Sequence, residues 1–324
     1  MTRPELVALF LENIPEESPK HMLCFFAANL AREKDISFTN DLLEVLGAME
    51  SVTPGYAIKM LQRIGSIAGV GEGQYEAVLQ ILAEIYVTSG LAREADYDDG
   101  VIQFRHEPSL GEQKNPEFEV RINSNWLAIE VKTPRLIQHG RLRASHNFQL
   151  NARLPREALA NEEKTLPRDN PVKDFLVSAE EKFISYEQVR ADAYRVLVII
   201  WDDFSNEPIS ALKASGSGLL TANSFYRDGD GNPVVFSHID GVLIVRHQHQ
   251  LIRATRCEPL VDGVASAFAY QHNDFPPKAY IKCPEGKDLP TDLMRALNAT
   301  PIEDCIGAEY HPSEIVMWVG DRNP

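Results

Sequence analysis

Two short segments of this chain carry residue types that could do chemistry together: Pro116-Glu117-Phe118-Glu119-Val120 and Leu127-Ala128-Ile129-Glu130-Val131-Lys132. In an extended strand alternate residues share a face, so Leu127, Ile129 and Val131 point into a core while Ala128, Glu130 and Lys132 point to the other side. On the preceding segment Phe118 and Val120 form the core-facing pair, which leaves Glu117 and Glu119 on the opposite face. Joined as a hairpin through Asn123-Ser124-Asn125, the two segments bring those acids beside Glu130. Two or three carboxylates next to one lysine suit Mg²⁺, which takes one or two protein carboxylates and completes its octahedron with water and substrate phosphate oxygens. The lysine can orient an attacking water and stabilise the charge that grows during phosphoryl transfer.

The elements that must position these residues follow from hydrophobic spacing. Leu6, Phe10 and Ile14, then Leu23, Phe26 and Leu30, then Leu42 and Leu46, then Ala57, Met60, Leu61 and Ile64 predict three or four short helices in a helical region spanning residues 1–66. A glycine-rich joint precedes a long amphipathic helix over about 74–94, with Val78, Ile81, Leu82, Ile85 and Val87 on its buried side. Three short strands follow, at 101–104, 117–122 and 126–131. Residues 133–172 show weak periodicity and read as a long loop or irregular insertion. A second amphipathic helix over about 173–194 runs into the apolar stretch 196–201, a buried central strand. The order over 74–204 is therefore helix, three strands, helix, strand. A strand at 241–246 and a helix near 291–298 make residues 205–324 a mixed strand and helix extension packed on that core.

At these residues the chain resembles the PD-(D/E)xK nuclease superfamily, whose core is a helix, a three-stranded meander, a helix and a strand. The likeness covers about residues 74–201 and rests on the Pro-acid-Phe segment, the 13-residue step from Glu117 to Glu130 and the apolar strand around Glu130-Val131-Lys132. It implies an α/β, restriction-endonuclease-like core. It also implies that Glu117 and Glu130 ligate metal and that Lys132 is the catalytic lysine. The first helix of that fold often supplies another acid, for which Glu84 is the best-placed match and Glu76 the next. Two departures stand out: Glu117 occupies a place where aspartate is usual, and Gln188 to Tyr194 does not reproduce the QxxxY spacing of one subgroup, which leaves Gln188 an auxiliary candidate. The implied activity is Mg²⁺-dependent hydrolysis of phosphodiester bonds in nucleic acid, with Mn²⁺ as a substitute. DNA is the expected polymer, and a restriction-like or defence role follows from family habit.

Composition sets limits on that reading. Acidic residues number 47 and basic residues 32, a net charge of −15 that argues against coating nucleic acid or an anionic membrane through overall charge. A polyanion needs a local basic surface, and residues 132–156 offer one: Lys132, Arg135, Arg141, Arg143, Arg153 and Arg156, with His139 and His146 and no acid. The five arginines are candidate phosphate contacts. The competing reading is a solvated loop that pairs with the acid-rich stretch 157–187. A hydrophobic content of 44% and a charged content of 24% exclude disordered, collagen-like and coiled-coil classes. Cys24, Cys257, Cys283 and Cys305 are too few and too scattered for a disulfide framework or a CxxC zinc site, so a reducing compartment is expected. Residues 1–14 lack an apolar signal core and no apolar run approaches the roughly 18 residues of a membrane span, so the expectation is cytoplasmic, with no membrane partner.

Other motifs carry less. Asp228-Gly229-Asp230-Gly231-Asn232 imitates a calcium loop but has Pro233 where that loop needs glycine, so it reads as a tight turn. Gly69-Val70-Gly71-Glu72-Gly73 reads as a linker and helix start. His247 and His249 would share a face of a strand end and could ligate zinc, with no third ligand nearby. Asp202 and Asp203 close the central strand as solvated acids. Two rivals to the nuclease reading stand beside it. One is a catalytically inactive nuclease-fold module that binds nucleic acid or a protein, with residues 1–66 as the contact region for a partner or a second copy. The other is an acidic α/β binding module in which Glu130 and Lys132 merely pair.

Overall fold

The computed structural model describes residues 1–14, 20–108, 114–154, 164–270 and 277–317. Helices α1 (Arg3–Asn13), α2 (Cys24–Leu30), α3 (Ser37–Val52) and α4 (Tyr56–Gly65) precede the long helix α5 (Glu72–Ala92). A two-stranded ribbon, β1 (Tyr97–Asp98) and β2 (Val101–Ile102), leads into β3 (Phe104–His106), β4 (Phe118–Ile122) and β5 (Asn125–Lys132). Then come α6 (Ile137–Ser145), β6 (Phe148–Leu150), β7 (Lys164–Thr165), α7 (Asp169–Glu187) and β8 (Tyr194–Trp201). The chain closes with α8 (Asn206–Lys213), β9 (Gly241–Arg246), α9 (Gln248–Thr255), β10 (Lys278–Lys282), α10 (Thr291–Ala296), β11 (Ala299–Pro301) and β12 (Ile315–Met317).

The architecture is mixed α/β around a seven-stranded sheet of order β11-β10-β9-β8-β5-β4-β3. Strands β3, β4 and β5 form an antiparallel meander, and β5, β8 and β9 run parallel. Alternation in β8 shows why a helix layer must cover each face. Val196, Val198 and Ile200 enter one core with α5 and the N-terminal helices, while Leu197, Ile199 and Trp201 enter the other with α7 and α8. The same split governs the hairpin. Phe118, Val120, Leu127, Ile129 and Val131 face α5, and Ala128 faces α7, as the sequence pattern predicts. Helices α1 to α4 share the α5 core rather than forming one of their own, with Leu6, Phe10, Leu42 and Leu61 in the cluster that holds Val120 and Ile129.

Three boundaries differ from the sequence reading. The stretch 101–104 is not one strand: Val101 and Ile102 pair with β1, and Phe104 opens β3 in the main sheet. Residues 133–172 are not an irregular loop, since they contain α6, two strands and the start of α7; β6 and β7 join β12 in a separate three-stranded sheet. The strand that β6 pairs with, β12, lies more than 160 residues away in the chain, where no local periodicity could reveal it. The hairpin turn is two residues long, Asn123 (φ 46°) and Ser124 (φ 70°), and both backbone N–H groups donate to the Asp96 carboxylate, at 2.8 and 2.9 Å. No described helix is long and apolar enough to cross a membrane.

Candidate active site

Glu117 and Glu130 reach one place from neighbouring strands. The Glu117 backbone N–H donates to the Ile129 carbonyl (3.0 Å), and the ladder continues with Phe118 opposite Ile129. That register sets Glu117 against Glu130 on the face covered by α7. Glu130 is fully buried, and Lys132, two residues on and therefore on the same face, places Nζ 2.8 Å from its Oε1. Glu119 does not join them. It lies opposite Ala128, accepts from the Tyr186 hydroxyl and from Arg190 Nε (3.2 Å), and sits 3.4 Å from Arg105. The face therefore offers a pair of acids plus a separate, structurally tied one.

Helix α7 adds a residue that sequence reasoning missed. Its apolar stripe of Val172, Leu176, Ala179, Phe183 and Tyr186 lies on the sheet, and Lys182 borders that stripe. Lys182 Nζ lies 3.2 Å from Glu117 and 2.7 Å from Glu130, bridging the two carboxylates. Burial pulls its pKa down, but the two carboxylates outweigh burial and raise it, so Lys182 stays charged. For Glu130, burial and then the Glu117 charge push the pKa up against Lys132 and Lys182. The signal available in the sequence was a lysine one turn from both Ala179 and Tyr186, at the edge of the stripe. Gln188, by contrast, is exposed just past the end of α7, about 9 Å along the helix axis from Lys182 at 1.5 Å per residue. Lysine at 182 and tyrosine at 186 are what α7 presents to the acids.

Helix α5 brings Glu84 to the other side of the cluster. It is 1% exposed and is gripped by Arg63 of α4, with Nη1 2.6 Å from Oε2 and Nη2 3.1 Å from Oε1. Burial, followed by repulsion from Glu117, pushes the Glu84 carboxyl up to about 7 against the pull of Arg63, and Glu130 adds to the rise. Glu84, Glu117 and Glu130 thus share one electrostatic neighbourhood. Glu76, the alternative acid, accepts from the Ile137 backbone N–H at 3.1 Å, at the start of α6. A stability test follows for Glu84. The unfolded chain ionises this carboxyl near 4.5 and the fold only near 7, so stability falls as pH rises through that window and the cost persists above it. Glu84→Gln in chelator should therefore stabilise the protein at pH 8, by about 1–3 kcal/mol, and do little at pH 5. Equal effects at both pH values in denaturant titrations would show that Glu84 ionises normally.

The end of β3 supplies a second set of donors. Glu107 has left-handed backbone (φ 43°), and its N–H donates to the Glu117 carbonyl at 2.7 Å. Adjacent residues of a regular strand point to opposite faces; the reversal at Glu107 instead brings its side chain and that of His106 together. Ligand-capable atoms of His106, Glu107 and Glu117 all lie within 4.8 Å of one another. The His106 ring stands edge-on to Tyr56, centroids 5.0 Å apart, and burial lowers its pKa to about 4, so the imidazole is neutral at pH 7. One imidazole and two carboxylates make a mixed nitrogen and oxygen donor set, which a transition ion such as Mn²⁺ accepts more readily than Mg²⁺, whose ligands are oxygens. Glu107 is meanwhile paired with Lys59 of α4. Among the described residues, four carboxylates (Glu84, Glu107, Glu117, Glu130) thus meet four bases (Lys59, Arg63, Lys132, Lys182). Of the three ligands expected from sequence, Glu117 belongs to both groupings.

The basic run after Lys132 is placed differently from expectation. Arg143 is 6% exposed, pairs with Asp202, lies 3.8 Å from Glu207 and stacks 3.9 Å over the Phe204 ring. Arg153 bonds Asp169 (2.5 Å) and Asn170 (2.6 Å) and covers the Phe225 ring, so its charge is answered from the acid-rich stretch. Arg141 is exposed and paired with Glu72. Arg135 is exposed, and Arg156 lies outside the described residues. Asp202 is accordingly no solvated strand end: burial raises its pKa despite Arg143. The reason is tertiary. Helix α6 folds the run back over the carboxyl ends of β5 and β8, where Asp202 and Glu207 need counter-charges.

The remaining motifs separate cleanly. His247 is buried, stacked at 3.8 Å on Tyr86 and bonded through Nε2 to the Ala267 carbonyl (2.8 Å), and burial lowers its pKa to about 3. His249 sits between Asp203 (3.4 Å) and Asp262 (3.5 Å). The two belong to the start of α9, not to a strand, and their rings meet different partners. Asp228 closes a tight turn by accepting from the Asp230 and Asn232 N–H groups, at 3.0 and 2.8 Å. Compared with known proteins, the chain matches no protein-family model, no curated protein and no solved structure, so the reading of its function rests on the geometry of this site.

Proposed function

We propose that the protein is a metal-dependent phosphodiesterase acting on nucleic acid, with DNA as the polymer, built on a restriction-endonuclease-like core. The observation that carries this reading is the meeting of Glu117, just before β4, with Glu130 and Lys132 of the neighbouring β5, within a chain order that includes α5, β3, β4, β5, α7 and β8. His106, Glu107 and Glu117 would hold a divalent cation, with Glu130 and Glu84 beside them. Such an ion, when bound, polarises a phosphoryl oxygen and acidifies water.

The chain's own residues supply the rest. Glu130 fixes Lys132 at 2.8 Å and keeps its ammonium aimed from the strand end. From there Lys132 donates hydrogen bonds to an attacking water or to a phosphoryl oxygen as charge builds on it, in a setting where Lys132 itself is only 16% exposed. Lys182 holds Glu117 and Glu130 side by side although both are negative, which keeps the pair assembled before substrate arrives. Incubating purified protein with single-stranded and duplex DNA and RNA, each with Mg²⁺, Mn²⁺ or chelator, is the direct check. Cleavage should require metal and disappear in chelator. The Lys182 bridge also supports a second reading, a nuclease-fold module without activity, because it neutralises the same carboxylates that metal would use. Binding of nucleic acid with no cleavage under any metal would favour that one.

A further inference from the structure

Helix α4 lies outside the strand and helix unit that holds Glu117, Glu130 and Lys132, yet it presents Tyr56, Lys59 and Arg63, successive turns of one face, to the acid cluster. Its two bases differ in what they hold. Arg63 grips Glu84, whose side chain is 2% exposed; releasing it would strand a buried carboxylate. Lys59 holds Glu107, and both side chains are about two-fifths exposed, 42% and 38%, so this pair can open into water at little cost.

Glu107 is also one of the three residues whose donor atoms converge within 4.8 Å, so Lys59 occupies a carboxylate that a cation at His106, Glu107 and Glu117 would claim. A doubly charged ion on that carboxylate repels the ammonium beside it. The displaced ammonium, on a flexible four-carbon stem anchored one turn from Arg63, stays next to the ion and needs an anion. A site of four acids and four bases that gains a divalent ion has excess positive charge, which a phosphodiester lowers.

We infer that Lys59 is a metal-displaced latch: it pairs with Glu107 while the site is metal-free and moves to a phosphate of the nucleic-acid backbone once metal binds. This rests on the metal-dependent reading above and adds that the N-terminal helical region supplies part of the substrate site. It makes an unusual demand on one substitution. Lys59→Gln removes a competitor for Glu107 and a contact for phosphate, so it should tighten Mn²⁺ binding several-fold and weaken DNA binding several-fold.

The test measures Mn²⁺ affinity by calorimetry without DNA, then affinity for a labelled duplex in Mn²⁺ at several salt concentrations in a Lys132→Ala background. Lys59→Gln, Lys59→Arg and Lys213→Gln are compared, the last removing a surface pair between Lys213 of α8 and Glu303. Effects of opposite sign in Lys59→Gln, with the log–log salt slope reduced by about one, near-parental behaviour in Lys59→Arg and no change in Lys213→Gln, would establish the latch. Tighter Mn²⁺ binding with unchanged DNA affinity and slope would overturn the phosphate contact and leave an inhibitory ion pair. Unchanged Mn²⁺ affinity would overturn displacement. Absence of Mn²⁺ binding in the unsubstituted protein would instead remove the metal reading itself, and the latch with it.

Discussion

Lys132→Ala is expected to lower metal-dependent cleavage of DNA by about 100- to 1000-fold while the protein stays folded, the range seen when one preorganised donor to a developing oxyanion is lost. The Lys132 side chain is only 16% exposed, but it lies at the carboxyl end of β5 against the Glu130 carboxylate and not in the apolar core, so its removal opens no apolar cavity. Glu130 loses one of its two lysines and keeps Lys182 at 2.7 Å, so its buried charge remains answered. The effect should fall on the chemical step: affinity for DNA within a few-fold of the parent, kcat reduced. Single-turnover cleavage at saturating enzyme separates the two. Undiminished single-turnover cleavage by Lys132→Ala would remove this lysine from the chemistry and direct attention to Lys182.

Arg143→Ala should have the largest effect on stability, a loss of about 3–5 kcal/mol, the cost of breaking a buried charge pair from one side. Asp202 and Glu207 would both remain in the interior without their common partner, and the face of Phe204 would lose its covering cation. Arg141→Ala, two residues earlier and just over half a helical turn away but exposed and paired with Glu72, should cost less than about 1 kcal/mol. Urea unfolding of the two variants decides the matter. If Arg143 were instead a phosphate contact, its loss would leave stability intact and flatten the salt dependence of DNA binding, and that outcome would falsify the structural assignment.

Much of the fold was legible because periodicity reports local burial. The β9 stretch, from Gly241 to Arg246, is a run of apolar residues with no competing helical pattern, and the structure has a strand there. Alternation in 127–132 placed Leu127, Ile129 and Val131 on one side and Glu130 with Lys132 on the other, because a strand has only two faces. Helix α5 starts two residues earlier than its apolar spacing suggests, since Glu72 and Gly73 can enter the first turn without contributing to the buried stripe. Where pairing was remote, the pattern was silent: β6 finds β12 across more than half the chain, and its three residues carry no period of their own.

For the site, local rules were enough to set Glu117 beside Glu130 and the lysine two residues beyond, though they set Glu119 there as well, which Tyr186, Arg190 and Arg105 tie up instead. Strand period and hairpin register are local rules, and they leave one arrangement once the core face is assigned. Which cations and which further acids meet that pair follows from packing between elements far apart in the chain. Lys182 comes from a helix about 50 residues later, Arg63 and Lys59 from a helix about 55 residues earlier, and His106 with Glu107 from a strand end where one left-handed residue overrides alternation. The same packing turns Arg143 inward, because the acids it neutralises, Asp202 and Glu207, reach it through a parallel crossover between β5 and β8. Charge pairing of this kind depends on distance in space and on burial, and a side chain's type and neighbours in sequence encode neither.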